Sequence, residues 1–360
     1  MHVTSPRDLG IPLGHHPAGP QNAITDVAGV RVGHATIVED ATPDRGALRT
    51  GVTSIWPHDG WPWQEAVYAG ASVLNGHGEL IGICQIEEMG LLRSPIMLTS
   101  SMAIGAVYDG AARWIAEQDP KMSRRNFLMP IVTEVSDLVL SDNRAFPITP
   151  AHVGEALASA STERPAEGSV GAGTGTISYD LKGGIGTASR RVGDWTVGVL
   201  VLTNHGDRPD LTIGGVEVGP RLGVPMAPNT NDGSCIVVVA TDAPLLPHQL
   251  SRLAARGLLG LARAGASAGN TSGELGLAFS TANRIPLDLS NGPTLAVTAM
   301  ADGFNRAYNP LFLATVEAAH EAVLNSMFAA ETMVGFAGVV APGIPVGTVA
   351  ELLRERGVIT

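Results

Sequence analysis

Apolar residues in this chain gather into short runs closed off by Gly, Pro, Asn or Asp. Runs that short and that rich in Val and Ile predict strands rather than helices. They occupy residues 80–86, 96–98, 127–132, 196–202, 235–240 and 294–299. Most are apolar on both faces, so each is expected to lie between two covering layers, of helix or of a second sheet.

A helical period governs the last third. Phe312, Val316, Ala319, Val323 and Met327 recur three or four positions apart and predict a helix with one buried stripe. Residues 247–264 predict another: Leu250, Leu253, Gly257 and Leu261 mark its inner face, Pro247 suits its first turn and Gly265 is placed to end it. Residues 101–117 and 150–160 read as further helices, and segments 144–186 and 211–233 as the least regular. No repeat period or charge block appears.

Composition narrows the class. The hydrophobic fraction is 44% but the aromatic fraction only 4%, so the core must be aliphatic, with many of the 44 glycines allowing backbones to approach closely. A net charge of −11 without any basic run argues against nucleic-acid or anionic-membrane partners. Cys84 and Cys235 are the only cysteines, too few for a disulfide scaffold or a four-thiolate zinc site. With no secretory leader and no apolar window of the roughly 18 residues a membrane span needs, a soluble, cytoplasmic protein is expected.

Two segments invite a chemical reading. The glycine run Gly168-Ser-Val-Gly-Ala-Gly-Thr-Gly175, followed by Lys182-Gly-Gly-Ile-Gly186, resembles a phosphate loop only superficially. It lacks Gly-Lys-Ser/Thr and the Gly-x-Gly-x-x-Gly spacing, so it reads as a loop passing close to another backbone. The second segment joins a Pro-rich loop to a buried strand through Asp232-Gly233-Ser234. It can be an ordinary turn with Ser234 as first strand residue. Alternatively, Gly233 lets the Ser234 hydroxyl fold back on its own preceding carbonyl, and acyl transfer from nitrogen to oxygen followed by hydrolysis cuts the chain. Ser234 would then carry a free α-amine of pKa about 7.7–8.0, a base attached to the nucleophile it activates.

The stretch Asn231-Asp-Gly-Ser-Cys-Ile-Val-Val-Val-Ala-Thr-Asp-Ala-Pro-Leu-Leu-Pro-His-Gln-Leu250 resembles the self-cleaving aminopeptidases of peptidase family S58, which include the L-aminopeptidase/D-amidase/esterase and β-peptidyl aminopeptidase types. Asn22-Ala-Ile-Thr-Asp-Val-Ala-Gly-Val-Arg-Val-Gly-His34, Leu74-Asn-Gly-His-Gly-Glu79, Val170-Gly-Ala-Gly-Thr-Gly175, Lys182-Gly-Gly-Ile-Gly-Thr187 and Ser272-Gly-Glu-Leu-Gly-Leu-Ala-Phe-Ser-Thr281 resemble family segments in family order. The resemblance implies an α+β fold, a four-layer helix–sheet–sheet–helix sandwich of N-terminal-nucleophile type, in a single domain over residues 1–360. It implies cleavage between Gly233 and Ser234 into fragments 1–233 and 234–360, with Ser234 the nucleophile. Ser272 and Glu274 become a supporting serine and acid whose side chains, two apart in a strand, could line one wall. Asn204 becomes an oxyanion donor, and Glu134 a carboxylate for the substrate's free amine.

The substrate implied is a small peptide, amino acid amide or ester, and the assembly a homo-oligomer, a tetramer of cleaved pairs. An endo-acting hydrolase of ω-amino acid oligomers, an acyl transferase, or an uncleaved binding protein remain open alternatives. One departure bears on specificity: relatives carry aromatic residues after the glutamate, including an oxyanion-binding tyrosine, where this chain has Val135-Ser-Asp-Leu-Val139. No cofactor and no metal are expected. His15-His16 falls in a flexible start and His248 in a helix start, without ligand spacing. Cys235, one residue beyond Ser234, should face the opposite side of its strand, in the core.

Overall fold

Strands apolar on both faces need two covers, and the chain supplies them by stacking one sheet on another and a helix layer outside each. The computed structural model describes residues 5–120, 128–228, 233–288, 292, 294–303 and 306–360. The first sheet is built from β1 (Arg31–Glu39), β2 (Leu48–Trp56), β4 (Leu80–Ile81), β6 (Ile96–Ser100) and β7 (Ile131–Val135), in the order β1-β2-β6-β7-β4. The second contains β3 (Glu65–Gly76), β5 (Leu91–Leu92), β10 (Ile185–Val192), β11 (Trp195–His205), β14 (Gly233–Thr241) and β15 (Gly273–Pro286), in the order β10-β11-β14-β15-β3-β5. Two short ribbons, β8 (Ile177–Ser178) with β9 (Leu181–Lys182) and β12 (Thr212–Ile213) with β13 (Val216–Glu217), punctuate the irregular segments.

The core divides by strand parity. Ile236, Val238 and Ala240 of β14 meet Ile96, Leu98 and Ile131 between the sheets. Cys235, Val237 and Val239 turn the other way, onto the helices α4 (Pro247–Arg263) and α5 (Asn309–Phe328). On the far side, Val52, Met97 and Val132 pack against Val107 and Ala111 of α2 (Ile104–Gln118) and Val153 and Ala156 of α3 (Pro150–Ala158). The expected helix–sheet–sheet–helix α+β sandwich is what forms. Glycine sets the spacing between layers: a Cβ on Gly186 of β10 would lie 1.9 Å from the Ala322 carbonyl oxygen of α5.

The structure corrects several expectations. Residues 80–86 are not one strand. Gly82, at φ +93, ends β4 and opens α1 (Ile83–Met89). The strand read at 127–132 starts four residues later, and Phe127 lies outside the described residues, as does Asp232. Residues 294–299 form an exposed loop rather than a strand, because the Asn283 side chain takes both backbone groups of Thr298 in place of a ladder. Helix α5 is buried nearly all round instead of along one stripe. Its Glu317 and Glu321 meet the fully buried Arg190 of β10, at 3.4 and 2.7 Å. Glu317 also accepts the His15 and His16 backbone N–H groups, so this His-His segment is tied to α5 rather than flexible. His248 is on the surface, 2.7 Å from Asp302.

The close layer spacing generates a paired prediction. Gly186→Ala should lower stability by about 1–3 kcal/mol through overpacking. Gly347→Ala, in α6 (Val346–Glu355) with open space around it, should raise it by about 0.4–1 kcal/mol. Urea unfolding of the two variants beside the wild type measures both shifts.

Candidate active site

Gly233 and Ser234 open β14. Gly233 stands at φ +88, and a Cβ there would meet the Asn204 carbonyl oxygen at 2.2 Å and the His205 Cα at 2.6 Å. Only glycine fits that position. The antiparallel ladder with β11 sets Asn204 opposite Ser234, and the parallel ladder with β15 sets Gly273 opposite it on the other side. Because Cys235 faces the helices, as expected, Ser234 turns with Ile236 toward the space between the sheets. Its Oγ donates to the Gly233 carbonyl oxygen at 2.7 Å and accepts the Gly273 N–H at 3.2 Å.

A cavity of about 510 Å³ opens at this strand end, and Ser234, Gly233, Asn204 and Glu134 all line it. Asn204 Oδ1 accepts the Ile177 N–H at 3.0 Å. A backbone donor can only pair with the amide oxygen, so the Nδ2 donors are the end left for the cavity. Glu134, near the end of β7, accepts the Glu79 N–H at 3.0 Å with Oε1 and the Ser101 hydroxyl with Oε2. It is buried, yet one edge reaches the cavity.

Ser272 and Glu274 are brought to the same strand end but not into the cavity wall. The Ser272 hydroxyl donates to Glu274 Oε1, and both side chains are buried. They flank Gly273, whose N–H reaches Ser234 Oγ. Glu274 lies opposite Cys235 in the ladder, hence on the helix side of the sheet. Burial pushes the Cys235 thiol well above its ordinary pKa, and the Glu274 carboxylate adds to the rise. A bulge at Leu74 shifts β3 against β15 between Glu274 and Leu275, beside this pair.

Among the described residues no Phe, Tyr or Trp lines the cavity; the His77 imidazole is the only aromatic ring on its wall, and Met102, Leu138 and Val139 supply its apolar part. The sequence reading missed three contributors. Ser101 and the Gly273 N–H carry no sequence signal. The third, Lys182, stands out as a lone cation among glycines. It is fully buried, and its Nζ donates to the carbonyl oxygens of Gly173 at 3.0 Å, Thr176 at 3.0 Å and Gly183 at 2.7 Å. Burial lowers its pKa to about 7, opposed by the charge of Asp137. Asp137 is itself buried, with its own pKa raised by desolvation, and accepts the Ser100 hydroxyl at 2.6 Å. The glycine run is a close passage, as read: a Cβ on Gly173 would sit 2.4 Å from the Ile185 nitrogen and one on Gly175 1.9 Å from the Arg49 carbonyl oxygen.

A family profile, Peptidase family S58, matches residues 22–341. The chain belongs to peptidase family S58. A relative named β-peptidyl aminopeptidase BapA, from Sphingosinicella xenopeptidilytica, is 41% identical across 97% of this chain and 91% of its own length. Among solved structures, a β-aminopeptidase from a Burkholderia species superposes with a TM-score of 0.90 at 41% identity, covering 98% of both chains. The L-aminopeptidase D-Ala-esterase/amidase of Ochrobactrum anthropi, described as a prototype serine aminopeptidase and a variant of the N-terminal-nucleophile hydrolase fold, gives 0.93 at 40% identity over 99% of this chain and all of that one. This S58 member is therefore a hydrolase of the aminopeptidase class. Among its described residues no helix is long and apolar enough to cross a membrane, and no three His, Cys, Asp or Glu side chains converge on a metal position.

One histidine beside the site gives the S58 chain a measurable pH dependence. His205, next to Asn204, is buried with neither ring nitrogen hydrogen-bonded, and desolvation lowers its pKa to about 4. The depressed value means that the unfolded chain takes up this proton first as pH falls. His205 therefore adds no pH dependence above about pH 6.5, and removes about 1.4 kcal/mol of stability per pH unit from there down to about 4. Urea unfolding of His205→Phe beside the wild type should show a stability difference that is flat above pH 7 and moves in the variant's favour with that slope below 6.5.

Proposed function

We propose that this chain cuts itself between Gly233 and Ser234, and that the liberated serine then removes N-terminal residues from short peptides, amino acid amides or esters. The observation that carries the reading is Ser234 Oγ, 2.7 Å from the oxygen of its own preceding carbonyl, with that carbonyl presented by a left-handed glycine. In the intact chain, Oγ attacks the Gly233 carbonyl carbon, the peptide C–N bond breaks, and the hydroxyl proton passes to the departing nitrogen. Water then hydrolyses the ester, leaving the Gly233 carboxylate, a free hydroxyl and the Ser234 α-amine.

Turnover uses the same atoms. The neutral amine takes the Oγ proton as Oγ attacks the substrate carbonyl, gives it to the leaving amine, and water releases the acyl group. Asn204 Nδ2 supports charge growing on the carbonyl oxygen. The buried Ser272–Glu274 pair holds the strand end where the new amine stands, with its negative charge favouring the ammonium form formed in each cycle. Glu134 pairs with the substrate's ammonium group, which restricts the enzyme to free N-termini.

Substrate breadth follows from the wall. Aliphatic Leu138, Val139 and Met102 leave more room than rings would, and a cavity of about 510 Å³ suits a residue or two. Relatives named for β-peptides and for L-amino acid and D-alanine substrates support a range that includes β-amino and D-amino acid derivatives.

Intact mass and Edman sequencing test the processing step. The wild type should yield a fragment beginning Ser-Cys-Ile-Val, while Ser234→Ala should remain a single chain of 37.2 kDa without activity. An active wild type that stays whole would falsify the proposal. Glu134→Gln should raise KM for alanine p-nitroanilide about 10- to 100-fold by weakening a charge-assisted contact, and the N-acetylated substrate should be inert with either protein. Equal turnover of the acetylated substrate would remove Glu134 from the reading.

A further inference from the structure

We infer that Lys182 is a positioning residue for the oxyanion donor, acting on Asn204 through the single peptide plane between Thr176 and Ile177. The inference rests on the reading of Asn204 as that donor. The Thr176 carbonyl oxygen accepts from Lys182 Nζ at 3.0 Å, and the Ile177 N–H on the other edge of the same peptide donates to Asn204 Oδ1 at 3.0 Å. A peptide unit is rigid and planar, so gripping its oxygen fixes the direction of its N–H. The N–H in turn holds the oxygen of the Asn204 amide, which leaves Nδ2 as the cavity-facing end.

The grip is built for one ammonium group. Three carbonyl oxygens, from Gly173, Thr176 and Gly183, take its three N–H donors in a site sealed from water, and each close passage of the loop is made by a glycine. Asp137 supplies the nearby opposite charge that raises the pKa of Lys182 against its burial, and packs on the same loop: a Cβ at Gly175 would lie 2.8 Å from Asp137 Cβ. A carbonyl bound to a cation also polarises its own N–H, so the bond to Asn204 is strengthened along with its direction. Lys182 touches neither substrate nor Ser234 among the contacts described. Its effect on chemistry passes through Asn204.

A double-mutant cycle tests this with Lys182→Met and Asn204→Ala. Rates for alanine p-nitroanilide are referred to the molar amount of cleaved, Ser-initiated fragment, so that slow maturation does not count as slow turnover. Asn204→Ala should lower kcat about 10²- to 10³-fold. Lys182→Met should lower kcat about tenfold or more while KM stays within about twofold, because the Glu134 contact is untouched. The double variant should be no slower than Asn204→Ala alone. Lys182→Gln, whose amide can donate to two of the three carbonyls, should fall between wild type and Lys182→Met, and carries the same cycle if the methionine variant does not fold. A Lys182 substitution that leaves kcat unchanged, or that slows the Asn204→Ala background by the same factor as the wild type, overturns the inference while Asn204 keeps its role. If Asn204→Ala itself leaves kcat unchanged, the oxyanion reading fails first and the role of Lys182 falls with it.

Discussion

Asn204 and Ser234 face each other across the β11–β14 ladder, and every other feature of the site takes its place from that register. The side-chain period of a strand is two, so a slip of one residue would turn Ser234 into the helix layer and bring Cys235 to the cavity. The register is held by burial on both faces. Val237 and Val239 belong to one core, Ile236 and Val238 to the other, and each strand beside them is apolar in the same alternation. Gly233 then completes the arrangement, because only a residue without a Cβ can pass the Asn204 carbonyl at this distance.

A strand that opens with Gly233 and Ser234 makes the two halves of the chain inseparable in the fold. β14 lies between β11, which precedes it by many residues, and β15, which follows it. A break at the start of β14 would therefore leave both pieces woven into one sheet, with the hydrophobic layers on either side unchanged. A break between Gly233 and Ser234 would leave Ser234 laddered between Asn204 and Gly273, which is the geometry an N-terminal nucleophile requires.

Charge is used sparingly and in enclosed places. Lys182 is held by backbone carbonyls rather than by a direct ion pair, Arg190 by two glutamates of α5, and Glu134 by a backbone N–H and a serine hydroxyl. Each of these three buried groups finds hydrogen-bond partners close by, as desolvation demands, although Arg190 Nε is left without one. The glycine-rich loop is thereby explained: its glycines let carbonyls converge on an ammonium group and let the loop run between β2 and β10.

The strands at 96–98, 196–202 and 235–240 and the helices α2 to α5 were legible in the chain because burial on both faces and the helical period are local signals, whereas the four-layer architecture came from the resemblance. The motif around Ser234 was legible through its resemblance to S58 sequences, since its local chemistry also allowed an ordinary turn. The amphipathic and glycine-containing strands β1, β2, β3, β10 and β15 escaped notice, since their apolar positions are diluted by Gly, Thr and Ser that pack against particular neighbours. Residues 294–299 had a strand's composition but lacked a partner. Sequence alone thus determined which residues could be buried and which could react. Tertiary structure decided which of them meet: that Ser272 and Glu274 lie behind the cavity wall rather than in it, and that Lys182 grips the oxygen of the peptide whose N–H holds Asn204. Those relations join residues tens to hundreds of positions apart, and only the stacking of the two sheets sets the distances between them.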